Sequence, residues 1–381
     1  MNQSHAYQFP ASEKICGISK PLDWTPEKKQ LFVEACREFA CFHAEHNSDI
    51  KSLYQRYQFD PRSIKSEDDL KNIPTLGVTA MKSYLLTSLP HDQMVLHLTS
   101  SGTRGLKTQI WFDQPSLDRV QRMLDVYLDQ EGFVSKDACN YLVLNYDPDD
   151  AGDLGVAYTE HNQLRFAPVK KAYYAIKKNQ EGHWVFDKDK CLQTLQSFLD
   201  QDVPIRIFGM PAFLLEFLEH IKSQDISLKS ARKNSWILIG GGWKAAEDKK
   251  ITRAQLRSIC EKTFGIPDAF QRDAYGMAEH CAPYFECKEH FFHIAVFNRI
   301  LIRDPASLDV LPDGEIGLME LITPFNAMMP NLALLTTDYG KIHSKPCPCG
   351  FKSPTFEVIG RAGISKHKGC AITANDIVRR V

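Results

Sequence analysis

The chain has 381 residues, 43% hydrophobic and 24% charged, with a formal net charge of −1. That is an ordinary globular composition, long enough for one large domain or two unequal ones. It lacks the basic excess of a nucleic-acid binder or a membrane-surface protein, and no apolar run approaches the ~18–20 residues of a membrane span. The opening Met1-Asn2-Gln3-Ser4-His5 has no charged-then-apolar leader pattern, so a cytoplasmic location is expected. Eleven cysteines are then expected as thiols rather than disulfides, with burial, metal binding or catalysis as their roles.

In chain order, Thr25-Pro26 reads as an N-cap and first-turn proline. Leu31, Phe32, Ala35, Phe39 and Phe42 recur at helical spacing, which predicts a helix over 26–46, and a second is expected over 49–57. A short strand is expected at 94–99 and a helix at 115–130. The middle alternates strands at 141–145, 204–208 and 235–239 with helices at 188–200, 211–223 and 252–263. Such alternation predicts an α/β domain with much parallel sheet, whose ligands sit in loops after the strands. From about 294 the pattern changes to short strands at 296–302, 315–322, 332–336 and 355–359, with turn signals at Asp313-Gly314 and Tyr339-Gly340. The expected organisation is a helical segment over 1–70, an α/β body over 71–295, a β-rich subdomain over 296–361 and a short basic tail over 362–381.

The most informative stretch is Thr99-Ser100-Ser101-Gly102-Thr103-Arg104-Gly105-Leu106-Lys107-Thr108. Gly102 and Gly105 let successive backbone N–H groups converge on one anion; Ser100, Ser101 and Thr103 add hydroxyl donors, and Lys107 adds positive charge. The spacing does not fit the P-loop of common NTPases, and an ordinary Ser/Gly turn is the alternative. Gly240-Gly241-Gly242, after a strand, can admit a flat ligand or make a tight turn. Tyr275-Gly276-Met277-Ala278-Glu279 offers a ring to stack on a base and a carboxylate for Mg²⁺, or is a surface turn. Asp338 in Thr336-Thr337-Asp338-Tyr339-Gly340 can accept two ribose hydroxyls or serve a hairpin. Arg361, after Gly360, can reach ribose or phosphate.

Taken in order, these elements resemble the adenylate-forming superfamily of acyl-CoA synthetases and adenylation domains. Ser101 to Lys107 matches its phosphate loop, Tyr275 to Glu279 its Tyr-Gly-x-Thr-Glu motif, and Thr336 to Asp338 its Thr-Gly-Asp motif. Within it the chain is most similar to the acyl-protein synthetases of bacterial bioluminescence fatty acid reductase complexes, with the phenylacetate-CoA ligase branch next. The stretches that point there are Thr99–Thr103, Gly240-Gly241-Gly242-Trp243-Lys244, Ile302-Arg303-Asp304-Pro305, Cys347-Pro348-Cys349-Gly350 and Lys368-Gly369-Cys370. Arg104, Leu106 and Ala278 depart from the family pattern.

The resemblance implies the large N-terminal domain of an adenylate-forming enzyme, an α/β parallel-sheet body plus a β-rich subdomain, with a truncated C-terminal domain: only twenty residues follow Arg361. It implies ATP and Mg²⁺ as cofactors and a carboxylic, expectedly fatty, acid as substrate. Ser100, Ser101, Gly102, Thr103, Gly105 and Lys107 would bind phosphate, Gly240, Gly241, Gly242, Tyr275 and Gly276 the adenine, Asp338 and Arg361 the ribose. Glu279 would hold Mg²⁺. Cys370 matches the position of an acyl-accepting cysteine, and Lys366, His367 and Lys368 beside it favour its thiolate. A partner acyl reductase and a homo- or hetero-oligomer are expected. A zinc site in the phenylacetate branch extends to Cys347 and Cys349 with Cys287 and His293; His290 and Cys281 are alternatives, as is a reduced thiol cluster. Four protein ligands would make that zinc structural. Phe208 to Leu215 lies where the family builds its acyl pocket, or is a core strand-to-helix junction. The other readings are a CoA ligase of phenylacetate type and a non-catalytic zinc-stabilised scaffold.

Overall fold

The computed structural model describes residues 7–99, 108–152, 162, 164–243, 249–282 and 284–361. Contacts divide the chain into two units: unit one is Met1–Gln130, Met277–Ala282 and His293–Val381, and unit two is Glu131–Gly276 and Pro283–Phe292. The contacts therefore do not divide along the boundaries expected at 70, 295 and 361, because unit one is gathered from three separate stretches of chain. Among the described residues no helix is long and apolar enough to cross a membrane.

Unit one begins with a short helix, Pro10–Cys16, and then the helix Pro26–His46, at the predicted bounds. Thr25 caps the second by accepting from Lys28 N at 3.4 Å, Pro26 occupies its first turn, and Phe32, Val33, Ala35, Cys36, Phe39 and Phe42 form its buried face. Asn47 ends it and caps the next helix, Ser48–Arg56, accepting from Asp49 N and Ile50 N at 3.0 Å. The β-rich part is an antiparallel run of Arg299–Arg303, Gly317–Ile322, Ala333–Ile342 and Thr355–Arg361, with Leu76–Gly77 parallel beside Ala333–Ile342.

The strand Leu96–Thr99 does not join a parallel sheet, as its place in the α/β reading implied. It pairs antiparallel with Gln109–Phe112, Thr99 opposite Gln109 and Leu96 opposite Phe112. Ile110, Trp111 and Phe112 are buried, and that burial fixes the second strand. Trp111 O accepts from Asn326 Nδ2 at 3.3 Å. Residues 323–332, all buried, carry this contact. Asn326 shapes the stretch from within, its Oδ1 accepting from Met328 N at 3.0 Å and Met329 N at 3.2 Å.

Unit two holds a seven-stranded sheet in the order Tyr284–Phe285, Gln271–Tyr275, Trp236–Gly240, Ile205–Gly209, Cys139–Tyr146, Val169–Lys178, Trp184–Phe186. The two outermost strands are antiparallel to their neighbours and the five between run parallel. Helices Lys188–Leu199, Pro211–Ser223 and Arg253–Phe264 contribute Leu192, Leu195, Leu214, Leu218, Leu256 and Cys260 to one core with Leu142, Ile207 and Ile237. The predicted α/β alternation with parallel sheet is this unit.

Candidate functional site

Asp338 and Arg361 stand opposite each other on neighbouring antiparallel strands. Arg361 Nε donates to Asp338 Oδ1 at 2.8 Å, the aspartate buried and the arginine exposed. Two irregularities aim this pair. Against Gly317–Ile322, Met319 alone faces Thr336, Thr337 and Asp338, since Leu318 pairs with Tyr339 and Glu320 with Leu335. The extra residues bulge outward and re-aim their side chains, steadied by Thr336 Oγ1, which accepts from Asp338 N at 3.0 Å. On the other side the register slips between Tyr339 and Gly340. Gly340 has no room for a side chain: a Cβ there would meet Met319 Sδ at 2.6 Å and Glu357 O at 2.7 Å.

Glu279 lies in the short stretch of unit one that follows Gly276. Its Oε1 accepts from Thr108 Oγ1 at 2.6 Å, and its backbone carbonyl accepts from Asn331 Nδ2 at 3.0 Å. Next to it His280 is fully buried, its Nε2 3.1 Å from Thr323 Oγ1, which donates to Asn298 Oδ1 at 2.5 Å. Burial lowers the His280 pKa to about 3, so its imidazole is neutral. Cys281 donates its thiol to Ala278 O at 2.7 Å, and among the described residues it is not one of the Cys and His whose ligand atoms gather together.

Gly240, Gly241, Gly242, Tyr275 and Gly276 belong to unit two, where the first three and the last two follow or end parallel strands. Gly241 has φ +78°, a conformation open to glycine. Tyr275 is half-buried with its ring centroid 6.1 Å from that of Tyr284. In the stretch 208–215, Phe208, Met210, Leu214 and Leu215 are buried, Leu214 and Leu215 within the core of unit two. Gly209 there has φ +151°, and a Cβ would collide with Leu144 O. This is the core strand-to-helix junction of the two readings.

His293, Cys347 and Cys349 gather in unit one, their ligand atoms within 4.8 Å of one another. Cys349 Sγ lies 3.2 Å from His293 Nε2. The other ring nitrogen, Nδ1, is 2.7 Å from Ser353 Oγ, an arrangement that orients an imidazole for a metal. Burial lowers the His293 pKa to about 4, leaving the ring in its neutral, ligating form. Cys349 Sγ also accepts from Phe351 N at 3.4 Å, and Gly350 turns the chain there with φ +99°. Cys287, in unit two, has the same local arrangement, its sulfur accepting from Glu289 N at 3.4 Å while the thiol is buried. His290, an alternative ligand, is engaged by Asp268 at 2.6 Å.

Ser100, Ser101, Gly102, Thr103, Gly105, Lys107 and Cys370 lie outside the described residues. Thr108 and Asn331, which hold Glu279 from two sides, were not singled out in the sequence. Thr108 is only the hydroxyl residue after the loop's lysine, and nothing in local spacing links it to a carboxylate 171 residues away.

The chain matches the family model described as acyl-protein synthetase, LuxE, over residues 11–378. It is 22% identical over 378 residues to the long-chain-fatty-acid–luciferin-component ligase of Aliivibrio fischeri, covering 98% of this chain and 96% of that one. To the protein of the same name in Vibrio harveyi it is 24% identical over 361 residues, covering 93% and 90%. Among solved structures, a 2-hydroxyisobutyryl-CoA ligase in complex with its acyl-AMP and CoA superposes with a TM-score of 0.66 at 14% identity, covering 94% of this chain and 82% of that one. That likeness carries the fold: the adenylate-forming ligase architecture. With the family model spanning nearly the whole sequence, the chain belongs to the LuxE acyl-protein synthetase family and is an ATP-dependent, AMP-forming acid–thiol ligase.

Proposed function

We propose that the chain activates a long-chain fatty acid as acyl-adenylate, transfers the acyl group to the thiol of Cys370, and delivers it to a partner acyl reductase in the cytoplasm. The long-chain acid is supported by the relatives, whose names specify a long-chain fatty acid and a luciferin component, and the reductase partner by the chain's place in the acyl-protein synthetase family. A carboxylate oxygen attacks the α-phosphorus of ATP, the bond to the β-phosphate oxygen breaks, and pyrophosphate leaves. The Cys370 thiolate then attacks the acyl carbon, AMP leaves, and a thioester remains.

The loop 100–107 binds phosphate in this reading, Asp338 accepts the ribose hydroxyls with Arg361 holding its carboxylate, and the Gly240–Gly242 backbone and Tyr275 enclose the adenine. Alignment of the reactants and stabilisation of phosphate charge are the main demands of the first step. Mg²⁺, when bound, neutralises charge on the phosphates, and a buried carboxylate oxygen of Glu279 suits so hard a cation. Cys287, His293, Cys347 and Cys349 offer three sulfurs and one nitrogen, a set that suits a closed, structural zinc.

The observation that carries the reading is the hydrogen bond from Thr108 to Glu279, which brings the exit of the phosphate loop to the carboxylate assigned to the metal. Carboxylate-dependent ATP–pyrophosphate exchange tests it. Asp338→Ala is expected to lower exchange at least ~100-fold, the scale of losing a transition-state contact. Near-normal exchange in a folded variant would remove Asp338 from the site. Cys370→Ser is expected to keep exchange and lose covalent labelling by radioactive fatty acid; surviving label would make another thiol the acceptor, and CoA-dependent AMP release would make it free CoA.

A further inference from the structure

Thr108 is fully buried and sits immediately after the lysine of the phosphate loop, at the start of the strand pair that ends at Phe112. Its hydroxyl donates to Glu279 Oε1 at 2.6 Å, a short bond of the kind made to a charged acceptor. Glu279 itself is 6% exposed, and among the described residues no other hydrogen bond to its carboxylate is found. Asn331 fixes the backbone of the same residue through its carbonyl.

We propose that Thr108 is a positioning residue for the metal-binding carboxylate; this rests on the reading of Glu279 as the Mg²⁺ ligand. A carboxylate at the end of a glutamate turns freely about its last bond, and a metal must select one orientation. The Thr108 hydroxyl selects it beforehand. It engages one lone pair of Oε1, and the remaining lone pairs of the carboxylate would serve a cation. Threonine suits the task because its branched Cβ restricts χ1. The placement has a second consequence. Thr108 is bonded covalently to Lys107, so any displacement of the end of the phosphate loop moves the hydroxyl that sets the carboxylate. Phosphate binding and metal binding are thereby coupled through one side chain.

The test compares Thr108→Val, of nearly the same shape without the hydroxyl, with Thr108→Ser, which keeps the hydroxyl. Mn²⁺ affinity is read by paramagnetic resonance on the intact chain with a non-hydrolysable ATP analogue, and the Mg²⁺ dependence of pyrophosphate exchange is read beside it. Loss of a group that orients a metal ligand weakens the metal roughly 10-fold or more. Thr108→Val is expected to weaken Mn²⁺ by about that factor. The half-saturating Mg²⁺ should rise in parallel, while exchange at saturating Mg²⁺ stays close to that of the parent. Thr108→Ser is expected to restore both. Should Thr108→Val melt far below the parent, Thr108→Ala is held to the same criterion. Glu279→Gln serves as the reference. If it weakens Mn²⁺ and the Thr108 variants do not, or if Thr108→Ser behaves like Thr108→Val, the positioning role is overturned. If Glu279→Gln leaves Mn²⁺ binding unchanged, the assignment of Glu279 falls, and the role of Thr108 with it.

Discussion

His43 and His280 in unit one are both fully buried, and burial lowers the pKa of each to about 3 from an ordinary 6.5. The unfolded chain binds these protons near pH 6.5 and the folded chain does not. Stability is therefore complete above about pH 6.5 and is lost as pH falls from there toward 3, by about 2 kcal/mol per histidine at pH 5. Glu320 works the other way: burial raises its carboxyl to about 7 despite Arg303, which favours the folded state as pH falls below 7. The informative measurement is thus a difference between variants. His43→Gln, which keeps a polar group within reach of the Ser88 hydroxyl 2.8 Å from Nδ1, is expected to lose about 2 kcal/mol less than the parent in urea titrations between pH 7 and pH 5. An equal loss would mean that His43 is already neutral when unfolded or protonated when folded. At this scale the sequence is legible where chemistry is announced by a motif. Glu279, Asp338 and Arg361 are picked out by the order of the short motifs around them, and the structure brings Asp338 and Arg361 together; their part in nucleotide binding belongs to the proposal. Thr108 and Asn331 are not picked out, because a hydrogen bond across a fold leaves no periodicity.

Most predicted helices and strands lie within a few residues of the observed ones, and Pro26–His46 and Pro211–Ser223 match at both ends; the strand expected at 332–336 instead runs Ala333–Ile342, so Tyr339-Gly340 is no turn but lies inside it, paired on both sides. Of the strands that escape notice, two do so for a shared reason. Val169–Lys178 carries Lys170, Lys171, Lys177 and Lys178 on an exposed surface, and Gln271–Tyr275 buries Gln271, Arg272 and Asp273. Both are strands by pairing rather than by hydrophobic alternation, so the period-two signal is missing. Arg119, on the helix Gln114–Gln130, joins elements in a way that sequence also conceals. It is 1% exposed and donates to Phe325 O at 2.7 Å, Ser116 Oγ at 3.1 Å and Glu13 Oε1 at 2.6 Å, with Phe9 and Phe39 packed on its guanidinium. Arg119→Ala is expected to cost about 3 kcal/mol in guanidinium unfolding, since Phe325 O and Ser116 Oγ lose their donor in a buried setting while Glu13, exposed, keeps Arg122. Arg119→Lys should recover little of it, because an ammonium cannot reproduce the planar fork. A loss below about 0.5 kcal/mol would show that water replaces the guanidinium.

At the scale of the whole molecule, the metal proposal makes the sharpest prediction. The purified chain is expected to carry one zinc, and Cys349→Ser to lose it and melt roughly 5–10 °C lower. Metal analysis that finds no zinc in an active preparation would return the four residues to a cluster of reduced thiols and an imidazole. The α/β class and the β-rich part were readable from alternation and turn signals. The division into units was not, because no composition shift marks the points at 130, 276, 282 and 292 where the chain passes from one unit to the other. Those crossing points govern the order in which the protein is made. A ribosome delivers chains from the N-terminus, and first-synthesised domains usually fold first. Here the nearly continuous second unit, Glu131–Gly276 with a short supplement, is released before the strands Arg299–Arg303 to Thr355–Arg361 that the first 130 residues require. The helices that precede unit two are therefore synthesised before the strands of their own unit, and until those strands emerge they have one another to pack against, as Phe9 does on Phe39 and Phe42.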